Sequence, residues 1–520
     1  MTLAHRYADT SKPSGSRKLL GLSLIALMIS GCAVSTEPLN NHQTLQRAKQ
    51  DMSQMYLNQE PVSGPITLHE AMARALKYNL EARLKLMEQA LSERQLDVAS
   101  FDMLPRVALE AGYTGRNNIS ASSSRSVQTG TQSLEPSTSL DNDRDVADLT
   151  MVWNVLDFGV SYVAAQQKSD QRWIAEEQRR KVVQTVVNDV RSAYWRAVAA
   201  ERLLSKIDKL LDRVNAARRS SERMSSRSIG DPVVALNYQR TLIETTRQLE
   251  QQRRALSLAK TELATLMNLP LGTDYQLAIP NQKNLPVPQL NVDFNTLETA
   301  ALIYRPELRE QDYKVRISAA ETKKTLLRML PGLEVQAGGH YDSNSFLVNQ
   351  SWADLGVKVT WNLFNLISGP SAHRAAEAGE AVAEAQRKAL SLAVLAQLYV
   401  ANANYSEAIR QYKTSQELRD IDDKILVQQR NRYRVQSIGE LDLIRSELNA
   451  VTADLRQDLA YADLRNSYGQ IFSTVGLDML PKTLPSASVA DISKAIASQE
   501  QKWQQGDLSD LKAAVNAPMK

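Results

Sequence analysis

The sequence predicts a mainly α-helical protein with a membrane β-barrel, built from one supersecondary unit that occurs twice in the chain. The first observation is a repeated Met-Leu-Pro tripeptide, at Met103 and at Met329, and each copy opens a stretch of alternating apolar and polar residues. The second is a Trp-Asn pair, at Trp153 and at Trp361, which ends a second alternating stretch in each half. The copies lie 226 residues apart at the first landmark (329 minus 103) and 208 at the second (361 minus 153), so the duplication extends over most of the 520 residues.

The third observation is the length of the segments that follow each Trp-Asn pair. Neither Gly nor Pro occurs between Gly159 and Gly230 or between Gly379 and Gly439, and a helix of about 70 residues spans roughly 100 Å. The return segments carry leucines at heptad spacing, which predicts coiled-coil packing. These leucines are Leu242, Leu249, Leu256 and Leu263 in the first half and Leu441, Leu448 and Leu455 in the second.

The N-terminus resembles a bacterial lipoprotein signal peptide, which we place at residues 1–31. Two basic residues precede an apolar run from Leu19 to Ile29 that is too short to cross a bilayer as a helix, and an Ile-Ser-Gly-Cys sequence follows. This lipobox-like sequence predicts that Cys32, the only cysteine, is acylated. The alternative is an ordinary signal peptide with a chance cysteine. Ala33 stands where lipoproteins of the inner membrane typically carry Asp, which points to the outer membrane.

The duplication divides the rest of the chain. We predict a periplasmic linker at residues 32–65, a first repeat at 66–290, a second repeat at 291–480 and a C-terminal periplasmic tail at 481–520.

Each repeat begins with a helix that precedes the first alternating stretch. Thr67 followed by Glu70 predicts a capping box and a helix that continues to about Leu104. The counterpart helix begins near Asn295 and is interrupted by Pro306, because proline cannot continue a helix without a break.

Four segments alternate strictly between apolar and polar residues, which is the pattern of β-strands. Each has the length that a tilted strand needs to cross a bilayer. The strands are predicted at about 106–114, 146–155, 332–341 and 354–363. Aromatic residues near their ends, as in interfacial girdles, are Tyr113, Trp153, Tyr341 and Trp361.

Four strands cannot close into a barrel, and an open sheet edge cannot lie in hydrocarbon. Closure therefore requires further copies of the chain, and three copies would supply twelve strands. The alternative is that the four strands form soluble hairpins packed on a core, but the flanking helices offer no obvious second layer.

The sequence contains no pattern typical of an enzyme or of a metal or cofactor site. The five histidines are scattered, and we found no nucleophile elbow, phosphate-binding loop or dinucleotide fingerprint. A net charge of +4 on 520 residues gives no reason to expect nucleic-acid binding.

The turns between the long and return helices also repeat, as Ser228-Ile229-Gly230 and Ser437-Ile438-Gly439. We expect each Gly to end one helix in a left-handed conformation, and the acid after it to favour the start of the next helix. Packing alone explains such turns, but their position at the tips of long hairpins also makes them candidate docking sites for a partner.

The whole pattern resembles the TolC family of outer-membrane efflux proteins. The match extends from about Ile66 to Leu480 and includes the Leu-Pro strand openings and the Arg-x-x-Tyr run from Arg430 to Tyr433. The resemblance implies a homotrimer with a twelve-stranded barrel and an α-helical tunnel. It also implies an equatorial region built from the first helices and the C-terminal segment, and an inner-membrane transporter whose periplasmic adaptor meets the two Gly-containing tips.

One difference from the family concerns the periplasmic entrance. Drug-exporting relatives often carry acids six and nine positions after the second tip glycine, where this chain has Arg445 and Leu448. Further arginines near the tips suggest an entrance that is less selective for cations and favours anions or a polyanionic segment. The alternative is that these arginines pair with acids on neighbouring helices, such as Asp231, Glu440 and Asp442. These arginines are Arg218, Arg219, Arg223, Arg227, Arg430, Arg432 and Arg434.

The function predicted from the sequence is an outer-membrane exit duct of a tripartite exporter, for small molecules or for a secreted polypeptide. The alternative from another class is a non-conducting, trans-periplasmic coiled-coil scaffold lipoprotein. That alternative would not explain four alternating strands of bilayer-spanning length.

Overall fold

The structure is a computed structural model, and it describes residues 38–226, 232–279, 285–479 and 488–505. The chain divides into two units, Met1–Asn58 and Gln59–Lys520. In the first unit a helix, α1 (Asn41–Gln54), begins with a capping box between Asn40 and Gln43 and has no buried residue.

The second unit contains the duplicated pattern. Its first half consists of α2 (Leu68–Tyr78), α3 (Leu80–Phe101), β1 (Arg106–Gly115), β2 (Ala121–Ser122), β3 (Ser137–Thr138), β4 (Asp143–Asn154), α4 (Val155–Ser226) and α5 (Pro232–Leu266). Its second half consists of α6 (Phe294–Tyr304), α7 (Pro306–Leu327), β5 (Gly332–Asp342), β6 (Ser351–Thr360), α8 (Phe364–Arg434), α9 (Glu440–Val475) and α10 (Val489–Gln504).

The prediction of one continuous first helix was wrong, because Asn79 separates α2 from α3. Its backbone is extended, and its side-chain oxygen accepts hydrogen bonds from the N–H groups of Glu81 and Ala82 at 3.0 and 3.1 Å. Asn caps helices well, because its short side chain satisfies N–H groups that lack a helical partner. In the second half Arg305 and Pro306 make the same break. Both repeats therefore open with helices of 11 and 22 residues.

Only half of the predicted capping box at the start of α2 is formed. The Thr67 hydroxyl accepts the Glu70 N–H at 3.2 Å. The Glu70 carboxylate instead accepts from the Arg74 guanidinium at 2.9 Å.

The four long strands form one antiparallel sheet in the order β1-β4-β5-β6. The sheet is not closed within one chain, so β1 and β6 are its edges. The second and fourth strands differ from their predicted bounds. The second strand starts three residues earlier than expected, and the fourth starts and ends three residues earlier, at Ser351 and Thr360, which leaves Trp361 just outside it. The register continues without a break across all four strands.

The helices form two packed layers that share α4 and α8. Near the sheet α4 contacts both α3 and α7, and α7 contacts α8; farther from the sheet α4 contacts both α5 and α9, and α9 contacts α8. No helix in the described ranges is apolar enough over a sufficient length to cross a membrane.

The heptad leucines form the core of the helical hairpins, as predicted. The four leucines of α5 are buried, and so are Leu448 and Leu455 of α9. The core continues into a region where α10 packs on α2. There the Trp503 ring stacks on Phe472 with centroids 4.7 Å apart.

Candidate membrane-embedding sheet and helical tip

The sheet has one apolar face and one polar face, because residues of the same parity stay in register across the strands. Leu109 of β1 pairs with Leu149 of β4, and Val335 of β5 pairs with Val357 of β6. The apolar side chains are the more exposed ones: along β4, Leu149, Met151 and Trp153 are exposed whereas the residues between them are partly buried. A sheet with its apolar face open to the surroundings is the arrangement expected against lipid.

The four predicted interfacial aromatics lie near the two ends of this sheet. Tyr113 donates a hydrogen bond to the Asp143 carboxylate at 2.6 Å, and Tyr341 pairs with Ser351 where β6 begins. At the opposite end the ring of Trp153 meets Phe158 edge-on at 5.8 Å. Trp361, although outside its strand, donates from Nε1 to the Met329 carbonyl at 3.0 Å. The two tyrosines thus lie at one end of the sheet and the two tryptophans at the other, as the order of the strands in the sequence indicated.

The outer faces of α3 and α8 carry exposed apolar stripes that the sequence reasoning missed. The members of each stripe follow one another at intervals of three and four residues or one full heptad, which places them on one face of a helix. The α3 stripe consists of Leu80, Leu84, Met87, Leu91, Val98 and Phe101, and the α8 stripe of Ala378, Val382, Ala385, Ala389, Leu392 and Ala396. The heptad spacing was visible in the sequence, but only the structure shows that these faces lack cover in the single chain.

The second helical tip differs in one respect from the prediction. Gly439 does not end α8 in a left-handed conformation; it has φ −79° and ψ 163° and precedes the first turn of α9 as its cap residue. The residue with positive φ is Gln436, at 59°. Ser437 closes the turn, because its N–H and its hydroxyl both donate to the Arg432 carbonyl, at 2.9 and 3.1 Å. Ile438 is partly buried against α8 and α9.

The acid directly after Gly439, Glu440, lies in the first turn of α9 as predicted, and Asp442 lies in the same turn. Their charges suit the positive end of the helix dipole.

Arg430 pairs with an acid on a neighbouring helix, as the alternative interpretation of the entrance expected, whereas Arg218 pairs with an acid on its own helix. Arg218 lies 3.3 Å from Glu222, and Arg430 lies 3.6 Å from Glu447. Arg445 is exposed on α9 and makes no ion pair with any described residue. Leu448 is buried, so of the two predicted entrance residues only Arg445 presents its side chain to solvent.

Three carboxylates of α9 connect the two long hairpins. Glu447 lies 2.7 Å from Arg213 of α4, and it also contacts Arg430 of α8. Two turns further on Asp454 contacts Lys206 of α4 and Arg419 of α8, and three turns further on Asp458 contacts Arg202 of α4. We call Glu447, Asp454 and Asp458 the bridging carboxylates.

Some predicted site residues lie outside the described residues. These are Cys32, the expected acylation site, and the first tip with Ser228, Ile229 and Gly230. Within the described ranges, no group of three or more His, Cys, Asp or Glu side chains is arranged to hold a metal ion.

Comparison with known proteins identifies relatives only among solved structures. No protein-family model matches the chain, and no curated protein sequence matches it. The outer membrane channel MtrE of Neisseria gonorrhoeae, in its open state, aligns with a TM-score of 0.61 and 16% identity over 79% of this chain and 88% of that one. The outer membrane channel CmeC of Campylobacter jejuni aligns with a TM-score of 0.62 and 13% identity over 90% and 97%.

The structure of CusC, described in connection with transmembrane channel formation, aligns with a TM-score of 0.61 and 17% identity over 81% of this chain and 96% of that one. At such low identities the likeness establishes the architecture rather than the activity. The resemblance noted in the sequence is thus confirmed at the level of the fold: the chain folds like the outer-membrane channels of the TolC family.

Proposed function

We propose that this protein is a trimeric outer-membrane channel, the passive exit duct of a tripartite export system. In this proposal three sheets close into one twelve-stranded barrel with the apolar face toward lipid and the polar face toward a water-filled lumen. The long helices continue the duct into the periplasm. The protein has no catalytic role and opens at its helical tips when a periplasmic adaptor, coupled to an inner-membrane transporter, docks there.

The observation that carries the proposal is that each open edge of the sheet adjoins a helix with an exposed apolar stripe. The sheet is open at β1 and β6. The helices joined directly to these strands, α3 before β1 and α8 after β6, carry the exposed apolar stripes. An edge that contains β1 and α3 can therefore meet the edge of a second copy that contains β6 and α8. Such a head-to-tail contact repeats around a ring until the ring closes.

The side chains of the two stripes differ in size in a way that suits this contact. The α3 stripe holds Leu84, Met87 and Leu91, each more than half exposed. The α8 stripe is mostly alanine around Val382. Large side chains on one helix fit between small ones on the other, as in knobs-into-holes packing. Exposed apolar patches of this kind are typical of interfaces between chains.

The proposal leaves the cargo open between small molecules and a secreted polypeptide, because a wide polar duct serves either. It includes acylation of Cys32 as a second attachment to the outer membrane, since one lipid anchor alone is weak.

Cross-linking between copies tests the trimer directly. Leu84 lies 22 residues before the first residue of β1 (106 minus 84), and Val382 lies 22 residues after the last residue of β6 (382 minus 360). The two side chains are therefore expected at the same distance from the sheet. A chain with Leu84→Cys and Val382→Cys, treated in native membranes with a short bis-maleimide, should yield covalent trimers.

The matched control pairs Leu84→Cys with Ala403→Cys. Ala403 is exposed on α8 but lies 21 residues farther from the sheet than Val382 (403 minus 382), roughly 30 Å along a helix. The wild type, whose only cysteine is Cys32, controls for cross-links that do not involve the two introduced thiols. Monomers only, or equal yields from both cysteine pairs, would overturn the proposed interface.

A further inference from the structure

His340, on the polar face of β5, lies between two carboxylates on neighbouring strands. Its Nδ1 is 2.6 Å from an oxygen of Asp148 on β4, and its Nε2 is 3.1 Å from an oxygen of Asp354 on β6. A neutral imidazole has one N–H and can donate only one hydrogen bond, whereas the imidazolium donates two. The geometry is therefore that of a charged histidine held by two anions.

The strands are shaped to accommodate this contact. A Cβ placed on Gly338 would lie 2.5 Å from the His340 Nε2 and 2.9 Å from an oxygen of Asp354, which is closer than real Cβ atoms come to their neighbours. Glycine thus leaves the space in which imidazole and carboxylate meet. The Trp352 ring covers the other side, stacked on His340 at 5.1 Å with 20° between the ring planes.

The surroundings of His340 carry more negative than positive charge. On the polar face Glu110 of β1 pairs in register with Asp148, which in turn pairs with His340. Three carboxylates, those of Glu110, Asp148 and Asp354, thus accompany one imidazole. We call these four residues the acidic row.

The other charged groups of this face lie nearer its ends. Lys358 pairs in register with Glu334 toward the helical end, where Arg106 also lies. Arg144 pairs with Asp342 at the far end, at 2.8 Å. Each of the two pairs is neutral as a unit, and Arg106 pairs in register with Val152, four positions along β4 from Asp148, so none of these groups lies beside the acidic row.

We propose that the acidic row makes the lumen of the barrel selective for cations, and that His340 sets the degree of this selectivity by offsetting one of its three negative charges. The inference rests on the proposed function, because it requires the polar face to line a channel. Three copies would place the row around the lumen as a ring, and rings of carboxylates favour the passage of cations.

Substitutions that remove a positive charge or a negative charge from the acidic row should change the ion selectivity in opposite directions. His340→Gln removes the positive charge and should raise the cation-to-anion permeability ratio, which reversal potentials measure across a salt gradient in planar bilayers. Asp148→Asn and Asp354→Asn remove a negative charge and should lower the ratio. Changes of roughly twofold or more are expected at low salt, and smaller ones at high salt, because the Debye length falls from about 30 Å at 0.01 M to about 10 Å at 0.1 M.

The matched control is Asp143→Asn. Asp143 lies on the same strand as Asp148 and bears the same charge, but it belongs to the apolar face and should leave the ratio unchanged. Arg445→Ala tests the alternative that ion selectivity is determined at the helical tips rather than in the lumen of the barrel. If only Arg445→Ala shifts the ratio, or if the His340 and Asp148 variants shift it in the same direction, the inference is wrong.

A pH series gives a second readout. Between pH 6 and pH 9 the wild-type ratio should rise as His340 loses its proton, and the His340→Gln variant, which lacks the imidazole, should show no such rise. An equal pH dependence in both proteins would overturn the role of His340. Complete absence of conductance in all variants would contradict the channel itself rather than the origin of its selectivity.

Discussion

The carboxylate of Asp454 in α9 lies 2.8 Å from the ammonium group of Lys206 in α4, although 248 residues separate them in the chain. The same carboxylate lies 3.2 Å from Arg419 of α8. Asp454 therefore ties α9 both to α8, its partner in the same hairpin, and to α4 of the other hairpin. In the proposed channel these hairpins must move apart at their tips when the duct opens, so the bridging carboxylates favour the closed arrangement.

Replacing Asp454 by asparagine should favour the open channel. The substitution leaves Lys206 of α4 and Arg419 of α8 without the anion that they share. The two positive side chains then repel each other, which favours separation of the helices. We expect a larger mean conductance in planar bilayers than for the wild type. Asp212→Asn is the control, because Asp212 is exposed on α4 and makes no ion pair with a described residue. Equal conductance of wild type and Asp454→Asn would contradict the role of the bridging carboxylates.

Glu500 should contribute to stability at neutral pH through its ionised form. Its carboxylate is buried and accepts hydrogen bonds from His69 at 2.8 Å and from Arg465 at 2.7 Å. Burial opposes ionisation, but the His69 hydrogen bond and the charges of Arg465 and Arg191 outweigh it and lower the pKa of Glu500 from 4.5 to about 2.

The unfolded chain therefore takes up the proton first as the pH falls. The ionised Glu500 therefore contributes roughly 3 kcal/mol to the free energy of unfolding above pH 4.5, and this contribution is lost as the pH falls from 4.5 to 2. Glu500→Gln should lower the thermal unfolding midpoint at pH 7, as followed by circular dichroism, and should flatten the loss of stability below pH 4.5. Lys494→Gln, at an exposed position of the same helix, should do neither. A Glu500→Gln variant with the same unfolding midpoint as the wild type, both at pH 7 and below pH 4.5, would contradict this account.

Gly469 should tolerate no side chain, because a Cβ there would overlap the guanidinium of Arg191. Arg191 is buried, its pKa is lowered to about 10 by burial, and its Nη1 donates to Asn188 at 2.9 Å. Gly469→Ala would displace this arginine from its hydrogen bond, and a buried donor without a partner costs about 1–3 kcal/mol. We expect less folded trimer in outer-membrane extracts.

The control for this substitution is Gly379→Ala in α8, where a Cβ meets nothing within 4 Å. Alanine favours a helix interior over glycine by about 0.5–1 kcal/mol, so this variant should fold at least as well as the wild type. Equal yields of folded protein from Gly469→Ala and Gly379→Ala would refute the packing argument.

The second tip offers a test of adaptor docking that does not disturb the fold. A Cβ on Gly439 meets nothing within 4 Å, and its φ of −79° suits any residue. Gly439→Trp should therefore assemble normally but obstruct a partner that approaches the turn. We expect normal trimer levels together with the export defect of the deletion strain. Full complementation by the variant would place docking elsewhere.

The parts of the fold that depend on local patterns were predictable from the sequence. Strict alternation identified the four strands, and the absence of Gly and Pro identified the two longest helices, because both signals lie within the segments themselves. The heptad leucines of α5 were likewise placed correctly in the core.

Features that depend on particular backbone conformations or distant partners were not predictable. Asn79 looked like an ordinary helical residue, and only its capping geometry shows the break. The left-handed residue of the tip was assigned to Gly439 because glycine adopts positive φ most readily, but the structure uses Gln436. The contact of His340 with Asp148 joins residues 192 positions apart, and no spacing rule in the sequence indicates it.

Single-channel recording of the purified full-length protein tests the central claim most directly. If the protein is an outer-membrane duct, a preparation that migrates as a heat-sensitive trimer in SDS should produce discrete conductance steps in planar bilayers, and Asp454→Asn should lengthen or enlarge them. If intact trimers insert and neither the wild type nor Asp454→Asn conducts, the protein is not a channel, and the scaffold interpretation takes its place.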